Sequence, residues 1–443
     1  MRNIISNKPA IKSLKERRYR AYRTEDEILG LDKQSPEGKI GDIDESIANS
    51  KIVKKRRSAK KGLKSGITLS STFPNDVDFN HPYRQALMAI KTKPFIIMTG
   101  MCGTGKSRFA RILAYQTCPK KLQEAGKAGN FLMISVQPEW CANDEIIGWF
   151  SMRGIYYFTT FMEFIIKAWR HIDTPFVLCL DEMNLAKVEQ YFADFLSILE
   201  TRRWINGELV SDAFISGEKL KFYAERDRDI WARFGLKFDD GLRNRFLTNG
   251  ITLPPNLIVI GTANMDESGH TLSMKVLDRI SVLELTEIDF YSGIKSDDAD
   301  FNFPITPISL DAISGRLLYG KEAYELSQKN GDLIISELQA IDKILTKSPF
   351  RFGYRIRDAA LIYCAHNSRL YKNQYNEEAI YKCLDEIFLM KILPRINGSG
   401  KVVKEVVSDL LRLIKNKYPR SFQRLSYMLH QGQEHSFISF WQQ

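Results

Sequence analysis

Phe95-Ile96-Ile97-Met98-Thr99-Gly100-Met101-Cys102-Gly103-Thr104-Gly105-Lys106-Ser107 is the stretch that decides how this chain is read. It opens as a continuous apolar run, the mark of a strand buried on both faces. It then fills every position of Gly-x-x-x-x-Gly-Lys-Ser/Thr, and a helical pattern follows from Arg108 to Tyr115. Strand, glycine loop and helix in that order build a cradle for phosphate. The glycines let the backbone of Gly100, Met101, Cys102, Gly103, Thr104 and Gly105 curl round an anion, and the helix start adds the positive end of its dipole. Lys106 reaches the β- and γ-phosphates, and the Ser107 hydroxyl is a Mg²⁺ ligand.

Working outward, three more apolar runs have the length of buried strands: Phe131 to Val136, Pro175 to Leu180, and Asn256 to Ile260. Helical segments separate them, so the chain is expected to form a mostly parallel sheet covered on both faces, an α/β fold. The third run ends in Asp181-Glu182. Beside a phosphate loop, such a pair supplies one carboxylate to the Mg²⁺ shell (Asp181) and one to orient or deprotonate an attacking water (Glu182). The fourth runs into Gly261-Thr262-Ala263-Asn264-Met265-Asp266-Glu267. In additional-strand P-loop ATPases a polar residue here aligns the water and senses the γ-phosphate. Asn264 fits that role, and Asp266 and Glu267 are placed to tune it.

Further on, Lys275-Val276-Leu277-Asp278-Arg279 ends a helix pattern. Arg279 is a candidate to project into a neighbouring subunit's site and stabilise charge on the transferred phosphoryl group. Its bland alternative is a bond within its own chain. Arg351-Phe352-Gly353-Tyr354-Arg355-Ile356-Arg357 opens another helix, from which Arg355, and after it Arg357, is a candidate to reach the nucleotide of its own subunit.

The composition agrees with an enzyme that stays in water. The 443 residues suit roughly two to three domains. The 44% hydrophobic content supports a core and excludes wholesale disorder. No apolar run approaches the ~20 residues of a membrane helix. The N-terminus is polar and basic, unlike a secretory signal. The six cysteines include no Cys-x-x-Cys pair, which argues against zinc and disulfide frameworks and fits a reducing cytoplasm. The formal charge is +11, and residues 1–80 hold 18 Lys and Arg against 11 Asp and Glu, so most of the excess lies in the basic N-terminal part. Such a charge favours polyanions, nucleic acid above all. Three regions follow: a basic, partly disordered segment over 1–75, the α/β unit over 76–292, and a helical lid and C-terminal region over 293–443.

The order of phosphate loop, Leu180-Asp181-Glu182-Met183-Asn184, Gly261-Thr262-Ala263-Asn264-Met265-Asp266-Glu267 and Leu277-Asp278-Arg279 resembles the AAA+ superfamily. Within it the chain looks like the McrB-type NTPases of modification-dependent restriction systems, and more distantly like MoxR chaperone-like ATPases. Ser135 to Trp140, Asp144 to Phe150, Lys391-Ile392-Leu393-Pro394-Arg395-Ile396-Asn397-Gly398-Ser399 and Tyr418 to Ser421 carry the narrower likeness. The resemblance implies a ring, usually a hexamer, that hydrolyses ATP or GTP with Mg²⁺ at sites shared between neighbours. It implies a separate nuclease subunit and DNA as partners in antiviral defence. The MoxR alternative implies a chaperone that remodels a partner protein. The resemblance also implies a hairpin inserted around Gly148 to Phe158, with Tyr156-Tyr157-Phe158 on or near it. Two departures stand out. Residues 1–80 are too short for the usual modified-base reader. The carboxylate after Asn264 is also one residue nearer than in the GTP-using members, so a GTP preference does not carry over. Residues 201–255 are read as either a partner- or DNA-facing insertion or a plain surface excursion.

Overall fold

The computed structural model describes residues 83–265, 269–285, 303–314, 317–370 and 375–441. The basic segment 1–75, and Asp266 and Glu267, lie outside them. The apolar runs become strands of one sheet: β1 (Phe95–Gly100), β2 (Phe131–Ser135), β3 (Phe176–Asp181) and β4 (Leu257–Asn264). A fifth, β5 (Ser281–Glu284), is short and polar at both ends, so its run does not stand out in the sequence. The order is β5-β1-β4-β3-β2, and every neighbouring pair is parallel. β4, the last but one in sequence, is thus inserted between the strand of the phosphate loop and the strand ending in Asp181.

Parallel pairing forces crossovers, and helices provide them. Here α1 (Arg84–Thr92) precedes β1, α2 (Lys106–Thr117) leaves it, α3 (Thr160–Arg170) precedes β3, and α4 (Ala193–Glu200) follows β3. β1 is buried along its whole length, while β2, at the sheet's edge, is half covered. Two buried asparagines staple the crossovers. The Asn130 amide donates to Ala114 O (3.1 Å), Thr117 Oγ1 (3.0 Å) and Pro175 O (2.9 Å). The Asn256 amide donates to the carbonyls of Ala168, His171 and Thr174.

Two additions decorate the sheet. Gly148–Phe150 and Tyr156–Phe158 pair as an antiparallel hairpin, where the resemblance expected one. Trp149 and Tyr157 stack at 4.7 Å on its outer face and are 51% and 47% exposed, while Tyr156 is buried. The stretch 201–255 holds a hairpin (Arg203–Ile205 with Glu208–Val210), α5 (Gly217–Arg226) and α6 (Asp240–Asn249). It is anchored by buried Leu220, Ile230 and Phe246, and Tyr223 stacks on Phe150 of the aromatic hairpin at 4.5 Å.

The C-terminal part is helical: α7 (Gln328–Leu345), α8 (Tyr354–Ser368), α9 (Glu377–Ile387), α10 (Lys401–Ile414) and α11 (Pro419–His435). α9 runs on through a π-helical turn, Phe388–Ile392, and a 3₁₀ turn, Leu393–Arg395. A buried ion pair bolts this region to α1. Arg84 binds Glu386 and donates to Asn367 Oδ1 (2.5 Å), and Tyr363 OH donates to Glu386 Oε2 (2.5 Å). Among the described residues no helix is long and apolar enough to cross a membrane.

Candidate functional site

Parallel strands end on one edge, so the loops after β1, β3 and β4 meet there. The glycine loop leaves β1 with Gly100, Gly103 and Gly105 all at positive φ (138°, 82° and 87°). That backbone is open to glycine and strained for other residues. A Cβ on Gly100 would come within 2.6 Å of Leu285 O, whereas one on Gly103 would meet nothing within 4 Å. The loop is therefore pinned against β5 at its base and open at its crown. Lys106 is buried and donates to Gly100 O (2.9 Å) and Met101 O (2.7 Å). Thr104 Oγ1 ties back to Met101 O at 3.0 Å. Ser107 is half-buried in the first turn of α2.

Asp181 ends β3, level with Thr262 of β4. Thr262 Oγ1 donates to Asp181 Oδ1 (2.8 Å) and accepts from the Glu182 N–H (2.9 Å). One buried hydroxyl thus fixes both acidic residues. Glu182 is exposed and holds a left-handed backbone (φ 53°, ψ 48°), unusual outside glycine. Asn264 Nδ2 donates to Glu182 Oε1 (3.3 Å), and Asn184 Nδ2 donates to Asn264 O (3.3 Å). Gly261 makes room for this turn, because a Cβ there would lie 2.6 Å from Met183 Sδ. The register sets Gly100 opposite Asn264, so loop, carboxylates and amide share one edge.

The arginines are elsewhere. Arg279 sits just before β5 and donates to Leu196 O of α4. Arg355 is 49% exposed; its Nε donates to Glu200 Oε2 (2.9 Å), and its Nη1 lies 3.9 Å from Asp278 Oδ2. Glu200 also binds Lys93, two residues before β1. Both arginines therefore stand at the opposite edge of the sheet from the phosphate loop. At ~3.3 Å per residue, β1 separates the two edges by about 17 Å. Arg355, expected to reach its own chain's nucleotide, is here paired with Glu200 where α8 docks on α4, away from the phosphate loop. Arg357 pairs with its neighbour Asp358 (2.6 Å).

Two residues at this edge, Thr262 and Asn184, lie inside the quoted motifs but carry no role that the sequence alone assigns them. The signal for Thr262 was a lone polar residue in the buried run of β4. The donors fit the expected ligands. Ser107 and Asp181 offer hard oxygens of the kind Mg²⁺ takes, and the loop's open crown beside a buried ammonium suits a polyphosphate.

No curated protein matches the chain. Residues 312–437 match the family described as a domain of unknown function (DUF8727). Among solved structures, a proposed ATPase of Cytophaga hutchinsonii ATCC 33406 is similar at 12% identity and a TM-score of 0.31, over 86% of this chain and 88% of that one.

Proposed function

We propose that this chain is an Mg²⁺-dependent nucleoside triphosphatase, with ATP or GTP as its fuel, that works as a ring, a hexamer on the resemblance. The observation that carries this is the shared edge: phosphate loop, Asp181, Glu182 and Asn264 on the ends of three adjacent strands, with Glu182 Oε1 already gripped by Asn264. Gly100 to Gly105 and Lys106 would hold the β- and γ-phosphates, and Ser107 and Asp181 would hold the metal. Bound Mg²⁺ would neutralise charge on the phosphate oxygens. Glu182 takes the proton of the attacking water on its free carboxylate oxygen, while Asn264 fixes the other oxygen and so aims the base. Thr262 keeps Asp181 and Glu182 in register.

The two arginines that the sequence offers for charge stabilisation, Arg279 and Arg355, stand at the other edge of their own chain. A head-to-tail neighbour would bring its arginine edge to this site, and such heterologous contacts form a ring when the rotation between neighbours closes. Work on DNA with a separate nuclease, in a restriction or defence complex, is the role we assign; its support is the McrB-like motif set and the +11 charge.

The test is hydrolysis of ATP and of GTP over a protein concentration series, with Glu182→Gln as the blank. Turnover should rise more than linearly with concentration. Lys106→Ala should abolish nucleotide binding. Glu182→Gln should bind nucleotide and turn over about 10²–10⁴-fold more slowly. Wild-type turnover in Glu182→Gln would overturn the assignment.

A further inference from the structure

The segment Lys391-Ile392-Leu393-Pro394-Arg395 is buried in the helical region. Its two basic side chains bond chain positions that flank Arg279 and lead to Arg355. Arg395 is 4% exposed, and its guanidinium binds three points of the chain at once. Nη1 donates to Asp278 Oδ1 (2.5 Å), Nη2 to Arg351 O (2.9 Å) and Nε to Phe350 O (3.3 Å). Asp278 immediately precedes Arg279. Phe350 and Arg351 lead into α8, whose second residue is Arg355. Lys391 Nζ, also buried, donates to Ile280 O, immediately after Arg279. Both chain neighbours of Arg279 are therefore gripped from the helical region. The arginines themselves rest on α4 at Leu196 and Glu200, one helical turn apart. Asp278 joins the two: one carboxylate oxygen takes Arg395, and the other faces Arg355.

Burying two cations is costly, and an apolar filler would pack the same space more cheaply. What an apolar filler could not do is fix three chain points in one plane, which the fork of a guanidinium does and the point charge of lysine does not. We infer that Arg395, through Asp278 and the Phe350–Arg351 turn, is a positioning residue that sets Arg279 and Arg355 as one unit for a neighbouring subunit's phosphate. This rests on the proposed NTPase reading. A shift of the helical region would move both arginines together, so the lid's position would be read by the adjacent site.

The test uses Arg395→Lys and, because a buried arginine can be needed for folding, Asp278→Asn at a partly exposed position. Each is measured for nucleotide affinity, kcat and KM. It is then mixed with Lys106→Ala chains, which have a dead site and an intact arginine edge. We expect kcat to fall by about tenfold or more, with KM and nucleotide affinity within about twofold of wild type. Mixing either variant with Lys106→Ala should restore turnover, because the neighbour then supplies a correctly set pair. Mixing Asp278→Asn with Arg279→Ala should restore none, since both defects lie on the same edge. A wild-type kcat in Asp278→Asn, a loss of nucleotide affinity in it, or no recovery with Lys106→Ala would each overturn the inference. An inert wild type would instead sink the NTPase reading itself, and this one with it.

Discussion

Thr262 shows how much of the site rests on one atom. Its hydroxyl donates to Asp181 and accepts from the Glu182 N–H, two residues before the polar end of a strand that is otherwise apolar. Thr262→Val keeps the shape and leaves that N–H unpaired, at a cost of about 1–3 kcal/mol. Urea unfolding should show that loss. Hydrolysis should fall while nucleotide binding persists, and Thr262→Ser should recover most of both. The sequence singles out Lys106, Ser107, Asp181, Glu182 and Asn264 by short spacing at strand ends, and the fold gathers these five at one edge. The contacts of Thr262 and Asn184 are not legible in the sequence, since each reaches across a gap that only the fold closes. The place of Arg355, against Glu200, cannot be read from local spacing, because the edge on which α8 docks is a tertiary fact.

At the scale of elements, four of five strands announced themselves by apolar runs, whereas β5 is held by its ladder to β1 more than by its own composition. The helix expected to open at Arg351 begins at Tyr354, after Gly353. The junction of α1 with α8 and α9 could not be read locally at all. It depends on Arg84 meeting Glu386, Asn367 and Tyr363 from distant parts of the chain. Breaking one partner of a buried pair costs about 3–5 kcal/mol. Glu386→Gln should therefore lower unfolding stability by about that much in chemical denaturation. If it melts like wild type, the ion pair is not what joins the helical region to α1. The hairpin carrying Trp149 and Tyr157 should behave oppositely. Its stacked rings are half in water, so Trp149→Ala should change stability by no more than about 1 kcal/mol.

For the whole molecule, burial of charge sets a pH dependence. Desolvation, with Lys93 nearby, holds the Lys391 ammonium down to about 7 from its ordinary 10.5. Between those values the unfolded chain binds the proton and the folded chain does not. Stability therefore rises with pH through that window, by an amount on the order of a few kcal/mol if nothing else titrates. Below about 7 both states are charged and the burial penalty is full. Above about 9 the buried thiols of Cys179 and Cys383, and then the hydroxyls of Tyr191 and Tyr363, all held above their usual values by burial, oppose the trend, since only the unfolded chain then loses their protons. Melting temperatures from pH 7 to about 9 should climb in wild type and less steeply in Lys391→Met. Equal slopes would mean that Lys391 keeps its charge in the fold. The same residue lies between β5 and the helical region, so this titration reports on the joint that holds the arginine edge.

The left-handed backbone at Glu182 has a consequence for anyone selecting variants. Glycine adopts φ 53° freely, whereas a side chain there costs roughly 1–2 kcal/mol. A library sorted by heat resistance alone would drift to glycine at 182, and its hardiest survivors would be those that had given up the carboxylate.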